Sequence, residues 1–143
     1  MLYTKNTGKL STRLLFSCGI WLFGLGIYFI VFRPPLLPED ARFISASITQ
    51  IHTNLPGIEN WLQRVFTVMG GFMSGAGVLT IFLANRVMPL RLSGTSWVIA
   101  LSGVSTVMLM SGINFDLNSD FKILLLAPAL MWLASLILYI SGR

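Results

Sequence analysis

The sequence is poor in charge, and this shortage already excludes several classes of protein. Only 10% of its 143 residues are Asp, Glu, Lys or Arg, whereas 55% are hydrophobic and the mean hydropathy is +0.77. A soluble domain carries about 25% charged residues, and a chain this short cannot bury so much apolar surface in one core. The composition therefore excludes a soluble globular domain, a disordered chain and a nucleic-acid-binding module, and it favours a protein whose partner is the lipid bilayer.

Cysteine and histidine are almost absent, which removes several cofactors. The single cysteine, Cys18, lies in an apolar run, so an intramolecular disulfide, a CxxC redox pair and a cysteine metal cluster are excluded. The single histidine, His52, lies outside the apolar runs and cannot hold a haem between helices. We therefore expect neither a metal nor a cofactor.

What the sequence does contain is four long uncharged runs, each bounded by charged residues. They cover residues 14–32, 65–85, 92–115 and 123–142 and contain 19, 21, 24 and 20 residues. Because a spanning helix needs about 20 apolar residues, each run predicts one transmembrane helix, the first of them uncleaved. The predicted fold is all-α: a single four-span membrane domain over residues 1–143, folded as a four-helix bundle with an outer loop at 33–64. None of the 84 residues in the runs is Asp, Glu, Lys, Arg or His, which argues against proton relays and ion-coupled transport.

The distribution of Lys and Arg predicts the orientation of the chain in the membrane. One side of the predicted spans collects six basic residues: Lys5, Lys9, Arg13, Arg86, Arg91 and Arg143. The other side collects four: Arg33, Arg42, Arg64 and Lys122. Since cytoplasmic loops carry the excess of basic residues, we expect both termini to be cytoplasmic.

The outer loop predicts one short amphipathic helix on the membrane surface. Pro38 suits a first helical position, and the helix is expected to run from there to Asn54, before Pro56 and Gly57 break it. Its apolar stripe consists of Ile44, Ile48, Ile51 and Leu55. Trp61, further on, has the position of an interfacial anchor for the second span.

Polar side chains in this loop raise the question of a catalytic or metal site. The candidates are Glu39, Asp40, Arg42 and His52, with Glu59 further along the chain. An enzymatic site would require Glu39, Asp40 and His52 to converge within hydrogen-bonding reach. Their spacing matches no known ligand pattern, so a helix cap and surface charge explain them better, with Arg42 paired to Glu39 or to a lipid phosphate. We therefore expect no catalytic and no metal-binding residues.

A cluster of small residues in the second run is the sharpest positive feature. It comprises Gly70, Gly71, Ser74, Gly75 and Gly77. Small residues four apart let two helix backbones approach closely in a membrane. The cluster is either a dimer face or a packing face within the protein's own bundle. Gly24 and Gly26 in the first run favour the second interpretation.

Two further features lie in the third and fourth runs. Pro128 is a possible hinge, since proline frees a carbonyl in its helix, and Trp132 near mid-span needs an acceptor such as that carbonyl or a hydroxyl of the third span. The third run contributes hydroxyls that line a polar track or bond their own helix: Ser102, Ser105, Thr106 and Ser111.

The sequence also resembles one group of proteins. Three segments resemble those of small uncharacterised bacterial four-span membrane proteins: Leu36 to Phe43, with Leu-Pro-Glu-Asp at its centre, then Trp61-Leu62, and the glycine-rich segment from Val68 to Met73. The resemblance covers residues 33–84. It implies a multi-pass protein of the bacterial inner membrane and carries no catalytic residue with it.

Three functions remain open at this point. The most favoured is a structural or accessory component, not an enzyme, which packs through small-residue helix faces against itself or within a larger membrane complex. The alternative is a passive channel or carrier for a small neutral or amphiphilic solute, lined by hydroxyls of the third span. The last is a membrane enzyme with a site on the outer face.

Overall fold

The protein is all-helical over the part of the chain that the structure describes. The computed structural model describes residues 2–142, with side chains from residue 7 onward, so that the side chains of Lys5 and Arg143 lie outside it. The seven α-helices are α1 (Leu2–Val31), α2 (Pro38–Ile44), α3 (Ile48–Asn54), α4 (Ile58–Phe82), α5 (Thr95–Gly103), α6 (Leu109–Asp116) and α7 (Lys122–Ser141). A π-helical turn (Val104–Met108) joins α5 to α6, and a π turn (Leu83–Val87) and a 3-10 turn (Met88–Leu90) extend α4.

Four helical segments are long and apolar enough to cross a membrane, which confirms a multi-pass helical membrane protein. They are Thr7–Val31, Ile58–Leu90, Thr95–Asp116 and Lys122–Ser141. The second segment is longer than the uncharged run, because Arg64 and Arg86 lie inside the helix rather than at its ends. A long basic side chain can extend along a helix toward the polar interface, so a charge limits the apolar run without ending the helix.

The four spans pack in the order second, first, fourth, third. Helix α1 packs against α4 on one side and α7 on the other, and α7 packs against both α5 and α6. Among the described residues the second and third spans share at most a marginal contact. The buried core accordingly follows α1 and α7, and includes Leu15, Cys18, Leu22, Met88, Ile99, Val107, Trp132 and Tyr139. Helix α4 therefore lies at one end of the row, with one face against α1.

The prediction of one amphipathic helix in the outer loop is wrong. Two short helices, α2 and α3, are separated at Ser45, which has φ 58°. The Ser45 and Ala46 amides donate to carbonyls of Arg42 and Ala41, as in a Schellman ending. Ser47 then caps α3. Its hydroxyl accepts from the backbone N–H of Gln50 at 3.1 Å, and the side-chain oxygen of Gln50 accepts from the backbone N–H of Ser47 at 2.8 Å. This Ser-x-x-Gln capping box is the sequence signal that marked the break.

The break also divides the predicted apolar stripe. Of its four members only Ile51 is buried, whereas Ile44, Ile48 and Leu55 are exposed. Helix α2 instead lies against the turn between the third and fourth spans, as described below.

Candidate interaction site

The contact between α1 and α4 depends on glycines at which the backbones approach closely. A Cβ placed on Gly77 would lie 2.5 Å from the Phe23 nitrogen and 2.8 Å from the Gly19 oxygen, and one on Gly70 would lie 2.6 Å from the Gly26 oxygen. These contacts are too short for any side chain. The two pairs share a spacing of seven residues, Gly19 with Gly26 on α1 and Gly70 with Gly77 on α4, which places each pair on one helix face. We call this contact the inner glycine face.

Ser74 belongs to the same inner face. A Cβ on Gly26 would collide with the Ser74 hydroxyl and would lie 2.5 Å from the Ser74 backbone nitrogen. That hydroxyl oxygen is buried and has no hydrogen-bond partner in the described part of the chain. Close backbone approach, rather than hydrogen bonding, therefore stabilises this contact.

The other two glycines of the cluster face away from the bundle. A Cβ on Gly71 or Gly75 would meet no atom within 4 Å. Their bulky neighbours are among the most exposed side chains of the protein, Phe72 at 78% and Leu79 at 70%. At 100° per residue Gly75 and Leu79 point opposite to Gly70 and Gly77. We call this surface, comprising Gly71, Phe72, Gly75 and Leu79, the outer glycine face.

In the first span, Gly24 and Gly26 also divide between the two environments. Gly26 lies in the inner glycine face, whereas Gly24 meets no atom within 4 Å. Gly19, which the sequence interpretation did not single out, completes the contact. The seven-residue spacing of Gly19 and Gly26 places both on one face of α1, but only the packing of α4 against that face identifies them as contact residues.

The contact between α1 and α7 is of a different kind, because hydroxyls bond across it. The Ser11 hydroxyl donates to the Ser135 carbonyl at 2.7 Å, and the Ser135 hydroxyl donates to the Ser11 carbonyl at 2.8 Å. Both serines are fully buried. Further along, the Cys18 thiol donates to the Pro128 carbonyl at 3.4 Å. Such interhelical hydrogen bonds satisfy polar groups that lipid cannot.

The fourth span packs on the third through Trp132. Its indole nitrogen donates to the carbonyl of Ile99 at 2.8 Å, and its ring lies directly on Gly103. The acceptor is thus a backbone carbonyl of the third span, not a hydroxyl or the carbonyl freed by Pro128. Helix α7 continues without interruption through the buried Pro128. A hinge at Pro128 stays a prediction.

Three of the predicted hydroxyls of the third span, those of Ser102, Ser105 and Thr106, bond within their own helix. Ser102 donates to the Val98 carbonyl at 2.5 Å, Ser105 to Leu101 at 2.9 Å and Thr106 to Ser102 at 2.5 Å. Each of these bonds spans four residues, as in ordinary helical back-bonding. The donor capacity of these three side chains is therefore already used.

At the end of the bundle that carries residues 33–57, helix α2 is held by carboxylates. Glu39 accepts from the Ser119 hydroxyl at 3.0 Å and from the Asp120 amide at 2.8 Å. Asp40 accepts from the Leu37 amide at 2.8 Å and pairs with Arg33 at 3.4 Å. We call this end the loop face. The two carboxylates thus join α2 to its own beginning and to the turn between the third and fourth spans.

Arg33 is unusually buried for an arginine. It is 9% exposed, and its guanidinium carbon lies 3.5 Å from the Phe66 ring centroid and 5.3 Å from that of Phe29. Cation–π contacts and the ion pair with Asp40 together satisfy its charge. Arg33 therefore connects the end of α1 to α4 and α2.

The other two loop candidates, Arg42 and His52, bind neither Glu39 nor Asp40. Arg42 pairs with Asp120 at 3.0 Å, not with Glu39. His52 lies 2.6 Å from Glu59, and both are exposed. The hydrogen bonds of Glu39 and Asp40 go elsewhere. Within residues 2–142 as described, no group of three or more His, Cys, Asp or Glu side chains is placed to hold a metal ion.

At the opposite end, the termini face, Arg91 holds the connection between the second and third spans against α7. Its Nη1 donates to the Tyr139 carbonyl at 2.6 Å, and its guanidinium carbon lies 4.4 Å from the centroid of the Tyr139 ring. A cation at the carboxyl end of a helix is favourable, because carbonyl dipoles point toward it. The contact therefore stabilises the end of the fourth span.

Comparison with known proteins adds no relative. No family model, no curated protein and no solved structure matches the chain. The resemblance to small bacterial four-span membrane proteins with a Leu-Pro-Glu-Asp segment stays a prediction. The features that bear on function are therefore the two glycine faces, the two seams of α1 (its contacts with α4 and with α7) and the loop face.

Proposed function

We propose that this protein is an accessory component of a membrane complex, in which the outer glycine face of α4 contacts a transmembrane helix of a partner or of a second copy. It would reside in the bacterial inner membrane as a four-span bundle with both termini in the cytoplasm. No catalytic step is part of this proposal.

The observation that carries the proposal is the contrast between the two sides of α4. On the inner face, Gly70 and Gly77 bring the backbone of α4 against α1. On the opposite side, Gly71 and Gly75 have the same small-residue character with open space above them. Because lipid is as apolar as a leucine side chain, helices associate in membranes chiefly by close packing at such residues. A second helix seated on Gly75, between Phe72 and Leu79, would find the same kind of contact.

The alternatives have weaker support. A channel lined by the third span would need free hydroxyls, but Ser102, Ser105 and Thr106 donate to carbonyls of their own helix. An enzyme at the loop face would need Glu39, Asp40 and His52 together, but His52 pairs with Glu59 while Glu39 bonds the turn at Ser119 and Asp120.

The proposal is tested by filling the outer glycine face. The double variant Gly71→Leu, Gly75→Leu should retain the fold, since a Cβ added at either glycine would meet no atom within 4 Å. It should, however, lose association. Association is measured as the mass of the protein in mild detergent and by a genetic assay of helix pairing in membranes. Gly24→Leu is the matched control, because Gly24 is an equally open glycine on α1. An unchanged oligomeric state in the double variant, or an equal loss in the control, would refute the proposed contact.

A further inference from the structure

Arg64 is the one basic residue of the loop face that the described part of the chain leaves without a partner. Arg33 pairs with Asp40, Arg42 with Asp120, and the Lys122 ammonium bonds the Asn118 side chain. Arg64 is exposed, and among the described residues it has no hydrogen bond or ion pair. An uncompensated cation at the interfacial level of a span attracts negative charge from outside the chain.

A shallow, open apolar groove passes Arg64 and runs along α4 from Trp61 to Phe72. It has a volume of about 370 Å³ and is lined by Trp61, Arg64, Val65, Val68, Met69 and Phe72. These positions recur at helical spacing, so they form one stripe on the outward side of α4. From Trp61 to Phe72 the stripe is about 16 Å long at 1.5 Å per residue. That is about half of a hydrocarbon core of about 30 Å, which is the depth of one leaflet.

We infer that this groove is a binding site for one phospholipid with a net negative headgroup. The headgroup phosphate accepts hydrogen bonds from the Arg64 guanidinium, and one acyl chain lies along Val65, Val68 and Phe72. Trp61, 60% exposed beside Arg64, covers the glycerol level of the lipid. Charge and length thus fit the same molecule: a cation at the interface and an apolar groove one leaflet deep.

Charge argues against a second copy of the chain as the occupant of the groove. A symmetric contact brings the same patch of both copies together, so two unpaired Arg64 side chains would lie close to one another. A lipid phosphate supplies the opposite charge instead. The inference does not rest on the proposed accessory function, although the groove and the outer glycine face meet at Phe72.

The test measures lipid contact at Trp61 directly. The full chain is placed in vesicles in which either phosphatidylglycerol or phosphatidylcholine carries brominated acyl chains, which quench tryptophan fluorescence on contact. The Trp61→Phe variant supplies the signal of the other tryptophans for subtraction. We expect phosphatidylglycerol to be favoured at Trp61 about five-fold, the preference that one basic residue near the surface confers.

Arg64→Gln and Val68→Phe separate the effect of the charge from the effect of the groove, and two further variants are controls. Arg64→Gln should remove the preference, whereas Arg13→Gln, an exposed arginine on α1 near the termini face, should leave it intact. Val68→Phe should reduce quenching by both lipids because it fills the groove while Arg64 is kept. The Gly71→Leu, Gly75→Leu variant should keep the preference even if association is lost, so that the two proposals can fail separately.

Three outcomes would overturn the site. Equal quenching by both lipids in the unaltered protein would indicate annular lipid only. A preference that survives Arg64→Gln, or that Arg13→Gln removes equally, would indicate a general charge effect. Protection of Trp61 from both lipids, in a sample that is oligomeric, would indicate that a second copy covers the groove.

Discussion

The inner and outer glycine faces of α4 consist of the same residue type on one helix, but they meet different surroundings. At Gly77 an added Cβ would lie 2.5 Å from backbone, whereas at Gly75 it would meet nothing within 4 Å. The inner face is therefore occupied by α1. The outer face has the same kind of surface, and none of the described residues packs on its glycines. The difference shows that a small-residue motif identifies a surface suited to a helix, but not which helix lies on it.

A second comparison lies within α1, whose two seams use different interactions. In the seam toward α4, glycines of each helix pack against the backbone of the other. The Ser74 hydroxyl lies in this seam and has no hydrogen-bond partner among the described residues. Toward α7 the seam contains the reciprocal bonds of Ser11 and Ser135. Close approach and interhelical hydrogen bonding are the two means of association that a lipid environment leaves available.

The largest effect is expected at the inner glycine face. Gly77→Leu places a side chain where the Phe23 nitrogen and the Gly19 carbonyl oxygen already lie within van der Waals distance. Overpacking of this kind costs roughly 1–3 kcal/mol or more, because backbone must move. We expect a marked loss of folded protein in a denaturing-detergent titration. Gly24→Leu, at an open glycine, should leave the midpoint of that titration nearly unchanged.

A moderate effect is expected at the other seam of α1. Ser11→Ala removes the hydroxyl that donates to the Ser135 carbonyl and leaves the Ser135 hydroxyl still able to donate to the Ser11 carbonyl. Interhelical hydrogen bonds in membranes contribute about 0.6 kcal/mol on average. The free energy of unfolding from the same titration should therefore fall by about this amount, well below the decrease for Gly77→Leu. A larger shift in Ser11→Ala would reverse the ranking of the two seams.

The smallest effect is expected at Ser74, where the substitution should not reduce stability. Its hydroxyl oxygen is buried without a partner, so Ser74→Ala removes an unsatisfied polar atom while it keeps the small volume that Gly26 requires. Removal of such an atom is neutral or stabilising. We expect the unfolding midpoint to stay or to rise slightly. A clear decrease would mean that the hydroxyl has a partner in the membrane.

The number and kind of the spans could be predicted from the sequence, because length and hydropathy determine them. Packing order could not, since a helical wheel shows that Gly70 and Gly75 lie on different sides of α4 without identifying the neighbour on either side. The seven-residue spacing of Gly19 with Gly26 was present in the sequence. It gains meaning only when α4 is known to run beside α1 with Gly77 at the level of Phe23.

The loop was predicted less well for a local reason. The spacing of Ile44, Ile48 and Ile51 fits one helix, but the capping box of Ser47 and Gln50 begins a new helix within that pattern. The attachment of Glu39 to Ser119 and Asp120 joins residues about 80 positions apart, and periodicity carries no information about such contacts.

The most direct test of the outer glycine face is site-specific photo-crosslinking in the native membrane. A photoreactive residue at Leu79, in the outer glycine face, is compared with one at Leu101, a similarly exposed leucine at 65% on α5. We predict a discrete protein adduct from position 79 that disappears when Gly71→Leu and Gly75→Leu are added, and only lipid adducts from position 101. Lipid adducts alone at both positions would contradict the claim that the outer glycine face contacts a helix of another chain.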